Sequence, residues 1–316
     1  MQWAKARGLE QGQKIRVDAT TVPSPIRHPL DSQLLYDGIR TVTARLSELS
    51  ETHPVVYQGH CRRAKRRVTN LCNARGSERK KGFYRDLLKV ARKTRHYGKL
   101  ALEQASGWKD CSSVVIVEQL RHYGQLLGKV MDQAERRILR REKVPAEDKV
   151  VSLFEEHSDI IYTGGRETLF GYKVYLTCGK SSLILDAHVV VGNPADQSQM
   201  KPMLRRYFEH YGFYPRQSSL DGGFATQDNL QWAKAQGIQD VAFAKKGKLK
   251  VLDMVRSNWV YRQLRRFRAR IEGCISMFKR VFGADRCTWK GWDHFQKYVH
   301  LSVLSYNLLV LARLLL

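Results

Sequence analysis

The sequence predicts an α/β fold in which a mixed sheet is flanked by helices, with a large all-helical stretch after the first strand. Three runs rich in β-branched and aromatic residues indicate strands, at Lys14–Val22, Gly171–Gly179 and Ser182–Gly192. Between Asp31 and Lys149 the pattern is helical almost throughout. The later strands and helices alternate with few crossover connections, which favours a mixed sheet. At 316 residues the chain can form one large domain or two smaller ones.

The N-terminal part begins with a short helical segment, Met1–Gly8. The strand KIRVDATTV follows, and Asp18 is expected where this strand runs out into a loop. Three prolines then impose an irregular run. Asp31 is a suitable N-cap for the first long helix, because its side chain can accept a hydrogen bond from a free backbone N–H.

The helical stretch is strongly basic. Arg62–Lys99 carries fifteen Lys or Arg residues against Glu78 and Asp86, and the whole chain has a formal net charge of +25. Such a surplus indicates a polyanionic partner, most often nucleic acid, although composition does not separate DNA from RNA. Aromatic residues, including Phe83 and Tyr84, are interleaved with the cations. We interpret the stretch as a helical module along a phosphate backbone. The simpler interpretation is a solvated helical hairpin whose aromatic residues form its core. We expect both to hold, with the aromatic residues packed and the cations facing nucleic acid.

After Pro145 strands and helices alternate, and the first two strands form an antiparallel hairpin. The elements that follow are a helix from Asp196 to about Tyr211, a strand ending in Asp221, a helix over Thr226–Gly237, a strand over Asp240–Lys245, a basic KKGKLK loop and a helix over Trp259–Gly283. The closing segment, Tyr298–Leu316, is about long enough to span a bilayer. His300, Asn307 and Arg313 interrupt it, so a packed helix is favoured over a membrane anchor.

Residue types and spacing argue against several other classes of site. The six cysteines form no CxxC pair and have no zinc-ligand spacing, which fits a reduced cytoplasmic protein. The ten histidines show no HxH or HxxxH spacing, and nothing resembles a Ser/His/Asp set or a phosphate-binding P-loop. The N-terminal residues lack the apolar region of a secretory signal.

The predicted helix Trp259–Gly283 combines an apolar face with a charged edge. The apolar residues that share one face at about 100° per residue are Ile271, Ile275, Phe278 and Phe282. Arg268, Glu272 and Lys279 lie along the edge of that face. For this helix alone, the commoner interpretation is a surface ion pair between Arg268 and Glu272.

Two aspartates, Asp18 and Asp221, are each expected at the end of a strand, where α/β sheets place functional groups. If their strands are neighbours, the carboxylates converge, and oxygen ligands without His or Cys suit Mg²⁺ or Mn²⁺. A third carboxylate from a helix at the sheet edge completes a two-metal site for phosphodiester chemistry. Gly222 and Gly223 leave room for a phosphate backbone. The alternative for each aspartate alone is a turn or cap.

Three segments together resemble the DDE transposases of bacterial insertion sequences, close to the ISNCY-like group: VDATTV, SLDGGF and RFRARIEGCISMFKR. In the third segment, Arg268, Glu272 and Lys279 match the Arg, Glu and Lys of the Tyr-x2-Arg-x3-Glu-x6-Lys signature of related elements. Arg265 stands at the tyrosine position, which is a departure from the signature. Tyr261 lies one turn earlier on the same stripe and is the candidate substitute.

The resemblance implies an RNase H-like catalytic domain formed by residues 1–34 and 150–316. Residues 35–149 are then a basic helical insertion that contacts DNA. The implied catalytic triad, which also binds the metal, is Asp18, Asp221 and Glu272, with two Mg²⁺ or Mn²⁺ ions as cofactor. The residues expected to contact DNA are Tyr261, Arg265, Arg268, Lys279, Lys245, Lys246 and Lys248.

The resemblance also implies an activity and partners. The expected enzyme cleaves a strand at the element ends and joins the freed 3′-hydroxyl to target DNA. It acts as a homodimer on double-stranded DNA in the bacterial cytoplasm, at the nucleoid, without a membrane or small-molecule partner.

Two other functions stay open at the level of sequence. Only seventeen residues precede Asp18, whereas the transposases it resembles carry a DNA-binding region there. One alternative is therefore a truncated, non-catalytic DNA-binding protein that dimerises with the intact transposase and inhibits it. The other is a host nuclease or RNase H-like resolvase that cuts branched or hybrid substrates.

Overall fold

A computed structural model describes residues 2–105, 108, 110–163, 167–245 and 247–316. The chain divides into two compact units, one made of Met1–Pro25 with His157–Leu316 and the other of Ile26–Glu156. The domain boundaries predicted from the sequence, after residues 34 and 149, stay a prediction. The compact units divide after Pro25 and after Glu156.

Within the described residues, the first unit contains a six-stranded mixed sheet. Its strands are β1 (Lys14–Pro23), β2 (Asp159–Thr163), β3 (Glu167–Cys178), β4 (Ile184–Val190), β5 (Gln217–Leu220) and β6 (Asp240–Phe243). The strand order is β2-β3-β1-β5-β6, and β4 pairs with β3. β3 is antiparallel to β1, β2 and β4, whereas β1, β5 and β6 are parallel. The predicted α/β class and mixed sheet are confirmed.

The α-helices cover both units. In chain order they are α1 (Gln2–Ala6), α2 (Asp31–Ser50), α3 (Cys61–Asn73), α4 (Ser77–Gln104), α5 (Cys111–Ala134), α6 (Asp196–Tyr211), α7 (Gln227–Ala235), α8 (Val251–Met254), α9 (Asn258–Ala269), α10 (Ile271–Arg280) and α11 (Trp292–Leu315). A π-helical turn, Glu135–Leu139, extends α5, and a 3-10 turn, Gly222–Phe224, follows β5. Helices α2 to α5 lie in the second unit.

The middle of the sheet is buried on both faces, as expected where helices pack on each side of parallel strands. Consecutive residues are buried in the central strands, at 15–17 in β1 and at 218–220 in β5. The four residues of β6, at the edge of the sheet, are buried as well. Helix α9 packs against β5 and β6, α10 against β1, and α11 against β4. The α9–α10 segment therefore lies next to the two strands that lead to the predicted aspartates.

The second unit is a helical bundle with a core of its own. Leu35, Ile39, Val42 and Leu46 repeat at helical spacing in α2 and are buried, and α2 packs against α4 and α5. The aromatic residues that pack against this core are Phe83, Tyr84 and Tyr97. Most of the cations of the basic stretch are exposed. The aromatic residues therefore belong to the core and the cations to the surface.

The prediction of one continuous helix over Trp259–Gly283 is wrong, because the segment divides at Arg270 into α9 and α10. Arg16 is fully buried, and its Nη1 donates to the carbonyl oxygen of Phe267 at 3.1 Å. A side chain that enters the backbone hydrogen-bond ladder is a common cause of such a break. The two shorter helices bury Phe267 and Ile271, on either side of the break.

Helix α11 is packed on one face. Phe295, Val299 and Tyr306 are buried in the core of the first unit, whereas Leu304 and Leu308 are more than half exposed. In the part of the chain that the structure describes, α11 is the one helix long and apolar enough to cross a membrane by length and composition. One face of α11 is packed, while only 22% of its most apolar window is buried, so the choice of a packed helix over a membrane anchor stays a prediction.

The edge strand β6 is anchored by Asp240, whose side chain is fully buried. It accepts hydrogen bonds from Gln217 Nε2 at 2.8 Å, Arg256 N at 3.1 Å and Arg256 Nη2 at 2.9 Å. Burial acts to raise the pKa of Asp240, but these donors outweigh it, and the pKa lies below its ordinary value of 3.8.

We expect Asp240→Ala to lower the free energy of unfolding by about 1–3 kcal/mol, because it removes a fully buried acceptor and leaves the partly buried donors of Gln217 and Arg256 without their partner. Asp253→Ala, on the exposed surface of α8, is the matched control and should change it little. Because the native pKa is lowered, the contribution of Asp240 is complete above pH 3.8 and is lost as the pH falls further. Urea unfolding at neutral pH measures the loss of stability in each variant. Equal unfolding midpoints for Asp240→Ala and Asp253→Ala would contradict the expected difference.

Candidate active site

The pairing of β1 with β5 brings Asp18 and Asp221 together. Val17 pairs with Leu220 in these parallel strands, and the next residue on each side is an aspartate. The prediction that Asp18 ends its strand is wrong. β1 continues to Pro23 because it stays paired with β3 beyond the end of β5. Asp221 does follow the last residue of β5, as predicted.

Arg268, near the end of α9, connects the carboxylates. Its Nη2 lies 2.8 Å from Asp18 Oδ2 and 3.1 Å from Asp221 Oδ1. Its Nη1 lies 3.9 Å from Glu272 Oε1. The three carboxylates that the sequence singled out therefore surround one guanidinium group. The Arg268–Glu272 pair, which is the expected one for an isolated helix, is the longest of the three contacts.

Asp18 is the least exposed of these carboxylates, with 16% of its side chain exposed against 43% for Asp221 and 74% for Glu272. Burial, with smaller contributions from Asp221 and Glu272, raises the pKa of Asp18 to about 6. Arg268 and the backbone N–H of Ala19, which donates to Asp18 Oδ1 at 2.9 Å, act in the opposite direction. A shifted carboxyl among other carboxylates is typical of functional sites.

Glu272 lies in the first turn of α10. Ile271, Cys274 and Phe278 of the same helix are buried and fix its backbone against the core. The Glu272 carboxylate itself is mostly exposed. The position of Glu272 is therefore set by packing, while its side chain has room to change rotamer.

The two glycines after Asp221 pack closely against neighbouring side chains. A Cβ at Gly222 would lie 2.8 Å from Lys245 Cβ, and one at Gly223 would lie 2.7 Å from Asp196 Oδ2. The sequence analysis assigned these glycines to the close approach of a phosphate backbone. The structure shows that packing inside the protein already requires them.

The sequence analysis used Asp196 only as the start of a helix and missed that its side chain lies beside this glycine loop. The N-cap of α6 is Ala195, and Asp196 accepts hydrogen bonds from Tyr175 Oη at 2.8 Å and Lys173 Nζ at 3.1 Å. Burial and the bond to Asp196 raise the pKa of Tyr175. No spacing in the sequence signals this contact, since it depends on how β3 and α6 pack.

The residues predicted to contact DNA differ in exposure. Arg265, Lys245 and Lys248 are exposed, and Lys279 is half-buried. Lys246 lies outside the described residues. The exposed cations are accessible to a phosphate backbone. Their contacts with DNA stay a prediction.

Tyr261 and Arg268 have partners inside the protein. Tyr261 Oη donates to the carbonyl oxygen of Phe243 at 2.9 Å, which ties α9 to the end of β6. Arg265 lies over the Tyr261 ring, 5.9 Å from its centre. Arg268 has only 15% of its side chain exposed and lies among the carboxylates. Its immediate role in this structure is that of an ion-pair partner.

The donor set at this site fits a hard divalent cation in its chemistry. Asp18 and Asp221 offer carboxylate oxygens at the same level of the sheet, and Mg²⁺ and Mn²⁺ prefer oxygen ligands. Among the described residues, no three His, Cys, Asp or Glu side chains are arranged to hold one ion. Arg268 lies between the two aspartates, and the Glu272 carboxylate must turn inward to join them.

Comparison with known proteins finds a family match over the C-terminal half of the chain. The family model described as "Transposase DDE domain" matches residues 139–308, just over half of the chain. The matched range contains Asp221, Arg268 and Glu272, while Asp18 precedes it. No curated protein and no solved structure matches the chain.

Proposed function

Because the chain belongs to the transposase DDE-domain family, we propose that it is the catalytic region of a DNA transposase. It cleaves a DNA strand at the ends of an insertion sequence and transfers the freed 3′-hydroxyl to target DNA. The observation that carries this proposal is the convergence of Asp18, Asp221 and Glu272 on Arg268. Carboxylates gathered at one point of a strongly basic chain favour metal-dependent phosphodiester chemistry.

In this proposal Asp18, Asp221 and Glu272 together hold two Mg²⁺ or Mn²⁺ ions. When bound, such ions activate a water or 3′-hydroxyl and stabilise the leaving oxygen of a phosphodiester. The backbone pairing of β1 with β5 fixes the two aspartates. Glu272 comes from a helix whose buried face fixes its position while its side chain can adjust.

We further propose that the sheet is RNase H-like and that the helical unit is an insertion that contacts DNA. The net charge of +25 and the exposed cations of α3 and α4 support the DNA contact. The enzyme acts as a homodimer on two paired ends of double-stranded DNA. Its place of action is the bacterial cytoplasm, at the nucleoid.

The exposed lysines of α4 provide a test of the DNA-contacting surface. Lys89 and Lys93 lie on one helix face and are exposed. Each phosphate contact contributes about 0.9 to the slope of log affinity against log salt concentration, so Lys89→Gln with Lys93→Gln should reduce that slope by roughly two. Fluorescence anisotropy with a labelled duplex measures this slope.

The matched control is Arg136→Gln with Arg140→Gln, since both arginines of the same unit are already paired with carboxylates. The control should change the slope much less. Equal slopes for the lysine variant and the unmodified protein would show that DNA does not contact this face.

The proposed activity is tested with duplexes taken from the DNA that flanks the gene on each side. With Mg²⁺ or Mn²⁺ the protein should nick one strand, leave a 3′-hydroxyl and join that end to a target plasmid. Sequencing gels and plasmid joining assays detect the two products. DNA binding without cleavage in either metal would support the non-catalytic inhibitor, and cleavage of branched or hybrid substrates alone would support a host nuclease.

A further inference from the structure

Arg268 occupies the point at which Asp18 and Asp221 present their oxygens. A single nitrogen, Nη2, contacts both carboxylates, and Nη1 lies near Glu272. The oxygens that this guanidinium contacts are among those that the proposed function assigns to the metal. A divalent ion that binds both aspartates therefore competes with Arg268.

The hydrogen bonding of Arg268 is incomplete in this position. Its Nε is buried and has no hydrogen-bond partner among the described residues. A buried donor without an acceptor is unfavourable. Attraction to the carboxylates, and not a complete set of hydrogen bonds, holds the guanidinium here. Such a group can leave when a stronger cation takes over its partners.

The two aspartates need a positive charge between them. The pairing of β1 with β5 places Asp18 and Asp221 side by side through the backbone, whether or not Arg268 is present. Neighbouring carboxylates without a cation repel each other and take up a proton more readily. Arg268 provides a single positive charge, whereas a divalent ion provides two.

We propose that Arg268 is a placeholder that holds Asp18 and Asp221 in the metal-free protein and is displaced when a divalent cation binds them. This inference rests on the proposed function, because it takes the carboxylates as metal ligands, and it adds a competitor inside the site. Arg268 is thus a positioning residue. Once displaced, its guanidinium can contact a DNA phosphate, which makes its buried position compatible with the DNA contact predicted from the sequence.

Calorimetric titration of Mn²⁺ and Mg²⁺ into the DNA-free protein tests the competition. Arg268→Gln should bind Mn²⁺ roughly tenfold more tightly than the unmodified protein, as expected from removal of a competing contact of ordinary strength. Arg268→Lys, which keeps the charge, should bind close to the unmodified protein. The matched control is Arg262→Gln, an exposed position on the same helix, which should leave the affinity unchanged.

The thermal midpoint of unfolding provides a second readout. Without metal, Arg268→Gln should melt at a lower temperature, because three carboxylates then lack their cation. Saturating Mn²⁺ should reduce the difference in thermal midpoint between Arg268→Gln and the unmodified protein. An arginine with a purely structural role would instead leave the variant with weaker metal binding and a difference that Mn²⁺ does not reduce.

The outcomes separate this inference from the proposed function. If Mn²⁺ binding is lost in Asp221→Asn but Arg268→Gln binds no more tightly than the unmodified protein, the placeholder role is wrong and the metal site stands. If neither the unmodified protein nor Arg268→Gln binds Mn²⁺ through Asp221, both are wrong.

A measurement on the unmodified protein covers the case in which Arg268→Gln does not fold. Phenylglyoxal modifies accessible arginines, and mass spectrometry reports the extent at each position. Mn²⁺ should increase the modification of Arg268 and leave that of Arg262 unchanged. A constant or reduced modification of Arg268 would overturn the proposal.

Discussion

We expect Asp221→Asn to lower the rate of Mg²⁺-dependent strand cleavage by about 10²–10³-fold, which is the scale of losing one principal electrostatic contact at a reacting centre. The amide keeps the shape of the carboxylate but removes its charge, and the loop after β5 stays in place. Asp18→Asn and Glu272→Gln should give losses of the same order, because the proposed function assigns all three carboxylates to the same ions. Cleavage of a labelled duplex under single-turnover conditions measures the rates.

The control for charge is Asp228→Asn. Asp228 is exposed on α7 and forms an ion pair with Lys201. The Asp228→Asn variant should cleave at the rate of the unmodified protein. All of these variants should bind DNA with similar affinity at a fixed salt concentration. If Asp221→Asn cleaves as fast as Asp228→Asn, Asp221 is not part of the catalytic centre.

We expect Phe278→Ala to lower the free energy of unfolding of the first unit by about 3–5 kcal/mol, the range for removing a fully buried phenyl ring. Phe278 is fully buried in α10. The loss therefore loosens the helix that carries Glu272, and cleavage should fall as well. Urea unfolding followed by far-UV circular dichroism measures the stability.

Val281→Ala is the matched control at the end of the same helix, because Val281 is 63% exposed. Val281→Ala should lower the free energy of unfolding by less than about 0.5 kcal/mol, as is usual for surface substitutions. A loss for Phe278→Ala no larger than that for Val281→Ala would show that packing of α10 does not fix the position of Glu272.

Strands β1, β3 and β4 were predictable because their β-branched and aromatic runs are long and bounded by turn residues. The short strands β5 (QSSL) and β6 (DVAF) were also predicted, from their place between helices, whereas β2 (DIIYT) was not predicted although it is rich in β-branched residues. The sequence analysis expected Asp18 and Asp221 to converge if their strands are neighbours, and the pairing of β1 with β5 fulfils that condition. The predicted bounds, Lys14–Val22, agree with β1 to within one residue, but Asp18 lies inside the strand and not at its end, because β1 stays paired with β3 beyond the end of β5.

The positions of Arg268 and Asp196 could not be predicted from local pattern. Helical periodicity placed Arg268 on a charged edge next to Glu272, yet its shortest contacts are to Asp18 and Asp221, on other elements. Likewise, the hydrogen bond from Arg16, a buried side chain of β1, to the carbonyl oxygen of Phe267 lies next to the break between α9 and α10. Periodicity describes one element at a time and carries no information on such tertiary contacts.

The central claim is that Asp221 and its partner carboxylates bind the divalent ions that support DNA cleavage. Asp221→Cys tests this most directly, because a thiolate is a poor ligand for Mg²⁺ and a better one for softer transition metals such as Mn²⁺. We predict that Asp221→Cys cleaves the flanking duplex with Mn²⁺ and not with Mg²⁺, while the unmodified protein cleaves with both and not in EDTA. Equal cleavage by Asp221→Cys in Mg²⁺ and in Mn²⁺, or cleavage by the unmodified protein in EDTA, would contradict the account.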